Sequence, residues 1–283
     1  EQQIFNILEA RNEAKNPRIS VHHASEVIGM DEHPGQALRK KKDASVVVAT
    51  SLVRDNRCDA VIAPGSTGAA VAAALFGLGR IKGIDRPVIA TPMPTVSGIT
   101  VMLDSGANSN SKPKHLVQGA LMGSEYAKLL LGKENPTVGL LNIGEEATKG
   151  NDVVLATYPI LEGMKTINFK GNIEGRDIPK GAVDVVVCDG FVGNVVLKFA
   201  EGLVTGLTQL VKDSIMAGSI FAKIGAMLVK PALKKMAKRL DHTENGGAPL
   251  LGVNGVFMIA HGSSKAKEIK TAIEIKHLIS VSY

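Results

Sequence analysis

The stretch GAVDVVVCDGFVGNVVLK, residues 181–198, decides the fold that we predict for this chain. The valine-rich run at 183–187 is typical of a short strand that is buried on both faces. Asp189 and Gly190 end the run, and a helical period follows. Asn194 stands where the N-cap of that helix is predicted, and free N–H groups at a helix start attract anions. The stretch therefore predicts half of a βαβ unit with a ligand-binding turn, although a capped turn without a ligand explains the same residues.

Four more predicted strands end in the same kind of polar, glycine-containing turn. These turns stand at 64–68, 104–108, 144–151 and 261–264. In an open α/β sheet the carboxyl ends of the strands form the edge at which ligands bind. Five such turns therefore predict an α/β fold with one polar cleft. Elsewhere we predict a short strand at 18–21 and a loop at 91–95.

The turn at 64–68 contains residues suited to binding an oxyanion. Gly65 and Gly68 allow a ligand to approach the backbone closely, and the hydroxyl groups of Ser66 and Thr67 can donate hydrogen bonds. The Gly-Lys-Ser/Thr ending of a Walker A loop is missing, and so is the G-x-G-x-x-G pattern. The turn therefore gives little support to nucleotide binding.

One lysine and one histidine at these turns are candidates for catalysis. Lys149 lies in a polar loop just before a predicted helix, where a surface lysine without a special role is the alternative. His261 follows the final predicted core strand, where a core or capping histidine is the alternative. Both residues are therefore candidates for the polar cleft.

The composition favours an α/β protein with tight loops. Of 283 residues, 45% are hydrophobic and 4% aromatic, with 30 glycines and no tryptophan, which suits a large core but not an aromatic-rich β-sandwich. The net charge of +6 leads us to expect an anionic partner, which is phosphate, an acidic protein or a lipid headgroup. Nucleic acid is disfavoured because no basic run is interleaved with aromatic residues.

The cysteines and the hydropathy pattern indicate a cytoplasmic protein. Cys58 and Cys188 each stand next to a predicted buried strand, which indicates core thiols rather than a disulfide or a metal pair. No uninterrupted apolar run reaches about 18 residues, so we expect no segment that crosses a bilayer. The sequence predicts neither a metal site nor a cofactor.

Two regions carry concentrated positive charge. Residues 39–42 form the run RKKK, which indicates either a solvated helix face or a docking patch for an acidic partner. Residues 212–240 place apolar and lysine-rich positions at helical spacing, and Pro231 is predicted to divide or start a helix. This amphipathic pair suits a subunit interface or an anionic membrane surface, with a buried intrachain helix as the alternative. Residues 241–249 are predicted to form a returning loop.

With these features assigned, the chain resembles the bacterial phosphate acyltransferases of the PlsX family. The resemblance covers most of the chain in the family's order. The matching stretches are IAPGSTGA at 62–69, GRIKGIDRP at 79–87, TVSG at 95–98, LDSGAN at 103–108, KPKHLVQGALMGS at 112–124, VGLLNIGEEATKGN at 138–151, DVVVCDGFVGNVVLK at 184–198, GGAPLLGVNG at 246–255 and AHGSS at 260–264. Family members begin with a strand and an Asp-Ala-Met-Gly-Gly-Asp turn that do not precede Glu1, so we expect this chain as given to lack one strand and part of its site.

The resemblance implies conversion of acyl-acyl carrier protein and inorganic phosphate into acyl phosphate and free carrier protein. It implies one catalytic domain over residues 1–283, a three-layer α/β/α sandwich like that of isocitrate and isopropylmalate dehydrogenases, from which 212–240 protrude. It also implies a cytoplasmic homodimer attached peripherally to an anionic membrane surface. Its product would feed a downstream glycerol-3-phosphate acyltransferase.

The implied reaction requires positioning and oxyanion stabilisation, because phosphate is itself a nucleophile. On this resemblance Lys149 is assigned to phosphate or the oxyanion, Asn194 to the carbonyl oxygen and His261 to protonation of the leaving thiolate. The predicted substrate- and phosphate-binding residues are Gly65, Ser66, Thr67, Gly68, Asp104, Asn108, Asp189 and Gly190. Of these, Asp104, Asn108 and Asp189 suit the orientation of loops best. An acidic carrier protein is expected to approach a basic surface, with 39–42, Lys82 and 230–239 as candidates.

Two other functions fit the same features. A dehydrogenase-like fold can bind NAD and a metal-bound hydroxy acid, although the sequence lacks a convincing acidic metal cluster. A protein that only scaffolds lipid enzymes at a membrane fits the amphipathic segment and the missing amino-terminal turn.

Overall fold

The computed structural model describes residues 1–240 and 246–280, with side chains described at 1–237 and 246–274. The predicted returning loop at 241–249 therefore lies mostly outside the described residues. The helices are α1 (Gln2–Ala10), α2 (Pro34–Lys40), α3 (Ser45–Arg54), α4 (Thr67–Gly77), α5 (Pro113–Leu131), α6 (Asp152–Glu162), α7 (Gly190–Ala217), α8 (Ile220–Leu240) and α9 (Ala266–Ser280). The strands are β1 (Ala60–Pro64), β2 (Val88–Ile89), β3 (Thr91–Thr95), β4 (Gly98–Leu103), β5 (Thr137–Asn142), β6 (Asn168–Glu174), β7 (Val185–Val187), β8 (Ala248–Leu251) and β9 (Val256–Ala260).

The strands form two sheets, and together with the helices they make a mixed α/β fold. The first sheet has four strands in the order β1-β9-β8-β2, with β1 parallel to β9 and β8 antiparallel to both of its neighbours. The second has five strands in the order β3-β4-β7-β5-β6, in which only the edge strand β3 is antiparallel. The α/β prediction is confirmed at this level.

The short strand β7 lies at the centre of the five-stranded sheet and is covered by helices on both faces. Val185 and Val187 belong to the core that includes residues of α5 and α6, whereas Val186 belongs to the core that α7 covers. All three valines are essentially inaccessible to solvent. The predicted strand that is buried on both faces is therefore confirmed, because side chains of successive strand residues point to opposite faces.

The two sheets meet where β2 and β4 end. The Ile89 N–H donates to the Asp104 carboxylate at 3.1 Å, and the Ser105 N–H donates to the Ile89 carbonyl oxygen at 3.0 Å. Strands β1 and β9 run in the same direction as β2, since β8 is antiparallel to both β9 and β2. The carboxyl ends of the parallel strands of both sheets are therefore turned towards this junction.

Three local predictions are wrong. Residues 18–21 form no strand, because they pair with no neighbouring strand among the described residues. Residues 91–95 form β3 rather than a loop, and the prolines in it are tolerated because β3 is an edge strand that needs few ladder donors. Cys58 is exposed rather than buried, because it lies in the turn between α3 and β1. Cys188 is buried as expected, and burial raises the pKa of its thiol.

The predicted helix division at Pro231 is also wrong. Pro231 lies inside α8, and the break between α7 and α8 falls at Gly218 and Ser219. The Ser219 hydroxyl oxygen accepts from the Ala222 N–H at 3.4 Å, as an N-cap does. A glycine followed by a capping serine therefore ends one helix and starts the next, while Pro231 only removes one hydrogen bond within α8.

By length and composition alone, helix α7 is long and apolar enough to cross a membrane. The sequence expectation differed because it required an uninterrupted apolar run. Val196, Leu197 and Ala200 of α7 pack against the core of the five-stranded sheet. The first part of α7 is therefore a component of the α/β fold. The second part of α7 and α8, which together we call the outer hairpin, are mostly exposed where their side chains are described.

Candidate active site

The turn after β7 starts helix α7 earlier than predicted. The Asp189 carboxylate accepts hydrogen bonds from the N–H groups of Phe191 and Val192, both at 3.0 Å, so Asp189 is the N-cap and Asn194 is not. The glycines at 190 and 193 suggested a loop, but both lie in the helix. A Cβ at Gly190 would stand 2.5 Å from the Asn108 carbonyl oxygen. These glycines are required because the helix start packs directly on another loop.

Asn194 lies at the outer side of this helix start. Its side chain is exposed, and a Cβ at Gly106 would stand 3.3 Å from the Asn194 Cγ. Within the described part of the chain its amide has no hydrogen-bond partner. The amide is therefore held beside the 104–108 loop and remains available to a ligand.

The 104–108 loop is organised around the buried carboxylate of Asp104. Its Oδ1 accepts from the N–H groups of Ile89, Gly106 and Ala107, and its Oδ2 accepts from the N–H and the side-chain amide of Asn108, at distances of 2.8 to 3.1 Å. Burial raises the pKa of Asp104, and these donors act in the opposite direction. The carboxylate therefore fixes the loop.

Asn108 ties this loop to two further elements. Its amide nitrogen also donates to the Pro87 carbonyl oxygen at 2.7 Å, just before β2. Its own carbonyl oxygen accepts from the Gly190 N–H at 3.0 Å, at the start of α7. The loop after β4, the residue just before β2 and the start of α7 are thus joined by hydrogen bonds.

Lys149 lies on the loop after β5, the strand next to β7. Its carbonyl oxygen accepts from the Asn142 amide at 2.8 Å, and its N–H donates to the Glu146 carbonyl oxygen at 3.1 Å. The amide of Asn172 donates to that same Glu146 oxygen at 2.9 Å. The backbone of the loop is therefore fixed, whereas the exposed ammonium group of Lys149 forms no ion pair with any residue the structure describes.

The turn at 64–68 connects β1 to helix α4. Ser66 is the N-cap of α4, and its hydroxyl oxygen accepts from the Ala69 N–H at 3.4 Å. Thr67 and Gly68 are exposed. A Cβ at Gly68 would stand 2.7 Å from Pro34 Cγ, so this glycine accommodates the start of α2. That neighbour was missed because nothing local in the sequence relates residue 34 to residue 68.

His261 follows β9, next to the Ser66 turn. Pro64 is paired with Ala260, so the residues that follow both strands start side by side. The His261 Nδ1 accepts from the Ser263 N–H at 3.2 Å and lies 2.7 Å from the Ser263 hydroxyl oxygen. A neutral ring that accepts at Nδ1 carries its proton on Nε2. His261 therefore presents an exposed Nε2–H donor.

The predicted site residues form two groups. The first lies at the carboxyl edge of the five-stranded sheet and consists of Asp104, Asn108, Lys149, Asp189, Gly190 and Asn194. The second lies at the carboxyl edge of the four-stranded sheet and consists of Gly65, Ser66, Thr67, Gly68 and His261. Across residues 1–237 and 246–274, no hydrogen bond links a side chain of one group to the other. The bond from Ile89 to Asp104 joins the sheets between them.

Sequence reasoning missed one acidic cluster near the first group. Carboxylate oxygens of Glu145, Glu174 and Asp177 lie within 4.8 Å of one another. Glu174 and Asp177 form a reciprocal capping box, and they also pair with Arg176 and Lys180 respectively. The hydrogen bond from Lys180 lowers the pKa of Asp177 most. Turn capping and ion pairs therefore account for the proximity of these carboxylates.

A surface hollow of about 440 Å³ lies away from both groups. It is lined by residues of α6 and of the amino end of β6, among them Tyr158, Glu162, Phe169 and Lys170. The rings of Tyr158 and Phe169 pack edge to face there, with centroids 5.4 Å apart. The hollow contains none of the predicted site residues.

The chain matches known proteins over nearly its whole length. A family model described as fatty acid synthesis protein matches residues 1–280. A phosphate acyltransferase from Desulfitobacterium hafniense is 58% identical over 259 residues, which is 91% of this chain and 77% of that protein. A phosphate acyltransferase from Heliobacterium modesticaldum is 57% identical over 95% of this chain and 80% of that protein. One from Geobacter sulfurreducens is 48% identical over 95% of this chain and 77% of that protein.

Solved structures are similar in fold at low sequence identity. EutD phosphotransacetylase from Staphylococcus aureus aligns with a TM-score of 0.58 at 14% identity. The alignment covers 100% of this chain and 84% of the EutD chain. A phosphotransacetylase from Streptococcus pyogenes aligns with a TM-score of 0.58 at 18% identity. This alignment covers 97% of this chain and 84% of the Streptococcus chain. These similarities support the α/β fold.

Proposed function

This chain belongs to the fatty acid synthesis protein family of phosphate acyltransferases, and we propose that it transfers a fatty acyl group from acyl carrier protein to inorganic phosphate. The chain is an enzyme of the acyltransferase class that acts on phosphate. The acyl phosphate would serve phospholipid synthesis through a downstream glycerol-3-phosphate acyltransferase. This family membership sets aside the NAD-dependent dehydrogenase and the non-enzymatic scaffold as functions of the chain.

One observation supports this proposal above the others. The Lys149 ammonium group and the Asn194 side-chain amide have no hydrogen-bond or ion-pair partner among the described residues, and the backbone that holds them is fixed at one sheet edge. A phosphate oxygen must attack the thioester carbonyl, which produces a tetrahedral oxyanion and then a thiolate. Donors that are already oriented stabilise such an oxyanion without reorganisation.

We assign the reacting groups accordingly. The Lys149 ammonium neutralises phosphate or the developing oxyanion, and the Asn194 amide donates to the carbonyl oxygen. The first turn of α4, with Thr67 and the Gly65–Gly68 backbone, cradles phosphate, because N–H groups at a helix start favour anions. The Ser66 hydroxyl has a capping bond and acts mainly by shaping that turn. We assign the Nε2–H of His261 to protonation of the leaving thiolate.

The remaining predicted residues act by holding loops. The side chains of Asp104, Asn108 and Asp189 form hydrogen bonds with backbone and amide groups of the protein. In addition, the carboxylates of Asp104 and Asp189 would repel phosphate. Gly190 allows α7 to contact the loop after β4. We therefore assign these four residues to orientation of the site.

The central experiment measures phosphate-dependent release of free thiol from palmitoyl-acyl carrier protein. Lys149→Ala and Asn194→Ala are each expected to lower turnover by about 10²–10³-fold, because each removes one stabilising donor. Lys170→Ala, at the opposite end of β6, serves as the charge control and is expected to retain activity. If both site variants fold normally and keep near-normal turnover, the site assignment is wrong.

The outer hairpin, formed by the second part of α7 and by α8, supports a second part of the proposal. In this part the chain is a cytoplasmic homodimer that associates peripherally with anionic membranes. The outer hairpin exposes large apolar side chains, among them Leu210, Met216, Phe221, Met227 and Leu228. Contiguous apolar surface of this kind marks protein or membrane contacts. Sedimentation of the purified chain tests the dimer, and flotation with anionic vesicles tests the membrane contact. We also propose a three-layer α/β/α arrangement like that of isocitrate dehydrogenases, with 212–240 as the contact insertion.

A further inference from the structure

In the basic run at 39–42, the Lys41 side chain is held by hydrogen bonds to the protein, whereas the other three side chains form none with the described residues. The Lys41 ammonium donates to the Val27 carbonyl oxygen at 2.7 Å and to the Glu32 carboxylate at 2.6 Å. Arg39, Lys40 and Lys42 are exposed, and they form no ion pair with any residue in the described ranges. Three cations of this run therefore remain exposed and without counter-charges among the described residues, which makes them available to an acidic partner.

These three cations lie close to the phosphate-binding turn. Helix α2 packs against α4, and Pro34 at its start contacts Gly68. Helix α2 has seven residues, so its basic end lies about 10 Å along the helix from that contact. The chain around α2 is also fixed, since the Asp43 carboxylate accepts from the N–H and the hydroxyl of Ser25 at 2.7 and 2.6 Å.

The other candidate basic surfaces are less well situated. Lys82 follows the far end of α4, whose 11 residues separate it by about 16 Å from the phosphate-binding turn. The lysines of α8 lie on a helix that contacts β3, an edge strand of the five-stranded sheet, whereas the turn at 64–68 belongs to the four-stranded sheet. Lys165 and Lys170 flank the amino end of β6, opposite the carboxyl edge where the site residues stand.

We propose that Arg39, Lys40 and Lys42 form the docking surface for the acidic carrier domain that delivers the acyl thioester. This inference rests on the proposed function, because that function requires a carrier-bound substrate. Three long, exposed cations without counter-charges steer an acidic protein surface and raise its association rate. They do not form a phosphate site, because their mobile head groups are not preorganised. The thioester arm of a docked carrier would have only a short distance to reach the site.

The test compares two variants that change the charge by the same amount. The first variant is Arg39→Glu/Lys40→Glu/Lys42→Glu, and the control is Lys82→Glu/Lys165→Glu/Lys170→Glu. Each is assayed with palmitoyl-acyl carrier protein and with the palmitoyl thioester of N-acetylcysteamine, which lacks a carrier. The first variant is expected to lower kcat/KM for the carrier-bound substrate by about 10–100-fold, with a weaker salt dependence, and to leave the small thioester unaffected.

Three results would overturn the proposal. The control variant could lose as much carrier-dependent activity as the first variant, which would indicate a general charge effect. The first variant could lose activity equally with both thioesters, or raise the KM for phosphate, which would assign the cations to the site itself. Finally, carrier protein could bind both variants as tightly as the original chain in a fluorescence anisotropy titration.

The same titration separates this proposal from the proposed function. If the original chain turns over neither thioester, the proposed function fails. Carrier binding by the original chain and its loss in the first variant would then still support the docking surface. No carrier binding by the original chain would refute the docking surface as well.

Discussion

The two parts of helix α7 differ in how their glycines are surrounded. At the start of the helix, a Cβ on Gly190 would contact the Asn108 carbonyl oxygen, and a Cβ on Gly193 would overlap the Asp104 carbonyl oxygen. Further along, a Cβ on Gly202 or Gly206 would meet no atom from elsewhere in the described chain within 4 Å. One end of the same helix is therefore locked into the site, and the other is left open. The difference agrees with our proposal that the start of α7 belongs to the active site and that the outer hairpin contacts partners.

The strongest test of this difference removes the carboxylate at the locked end. Asp104→Ala is expected to lower the free energy of unfolding by about 4 kcal/mol, because several buried N–H groups lose their acceptor. Asp213→Ala is the control on the open part of α7, where the carboxylate accepts a bond from Gln209 at 2.6 Å in an exposed position. Its expected effect is below about 0.5 kcal/mol. Urea denaturation measures both, and equal losses would contradict the distinction.

A second test adds one methyl group at each end. Gly193→Ala is expected to destabilise the protein by about 3 kcal/mol, because the helix start must move away from the loop after β4. Gly202→Ala is expected to stabilise it by about 0.5–1 kcal/mol, because alanine favours a helix and nothing obstructs it. Thermal unfolding at fixed protein concentration gives both values. The account would be wrong if the two substitutions had the same sign.

The smallest expected effect on stability comes from the outer hairpin. Leu228→Ser is expected to change the free energy of unfolding by less than about 0.5 kcal/mol, because Leu228 is 78% exposed. The same substitution is expected to reduce flotation with anionic vesicles. Phe76→Ser is the control, since Phe76 is 71% exposed on α4 within the α/β part. Unchanged flotation of the Leu228 variant would remove this residue from the proposed membrane contact.

Local sequence patterns were sufficient for most of the fold. The valine-rich run at 183–187 predicted β7 correctly, because β-branched residues without polar alternation suit a strand covered on both faces. The same patterns misassigned the helix start, since Gly190 and Gly193 are usual in turns. Their presence in α7 depends on the loop after β4, more than 80 residues earlier in the chain.

The sequence predicted which of the candidate residues follow the ends of strands, but not the contacts that these residues make. Strand-end position alone identified Lys149 and the Ser66 turn. It could not reveal that Asp104 also accepts from the Ile89 N–H, or that Pro34 contacts Gly68, because both depend on segments that are distant in sequence. The acidic cluster of Glu145, Glu174 and Asp177 was missed for the same reason.

The most direct test of the central claim is thiol release from palmitoyl-acyl carrier protein by the purified chain, with and without inorganic phosphate. We expect release that depends on phosphate, with acyl phosphate formed in equal amount, and a loss of about 10²–10³-fold in the Lys149→Ala and Asn194→Ala variants. Release that proceeds equally well without phosphate would contradict the proposed reaction. Release that is unchanged in both folded variants would contradict the proposed site.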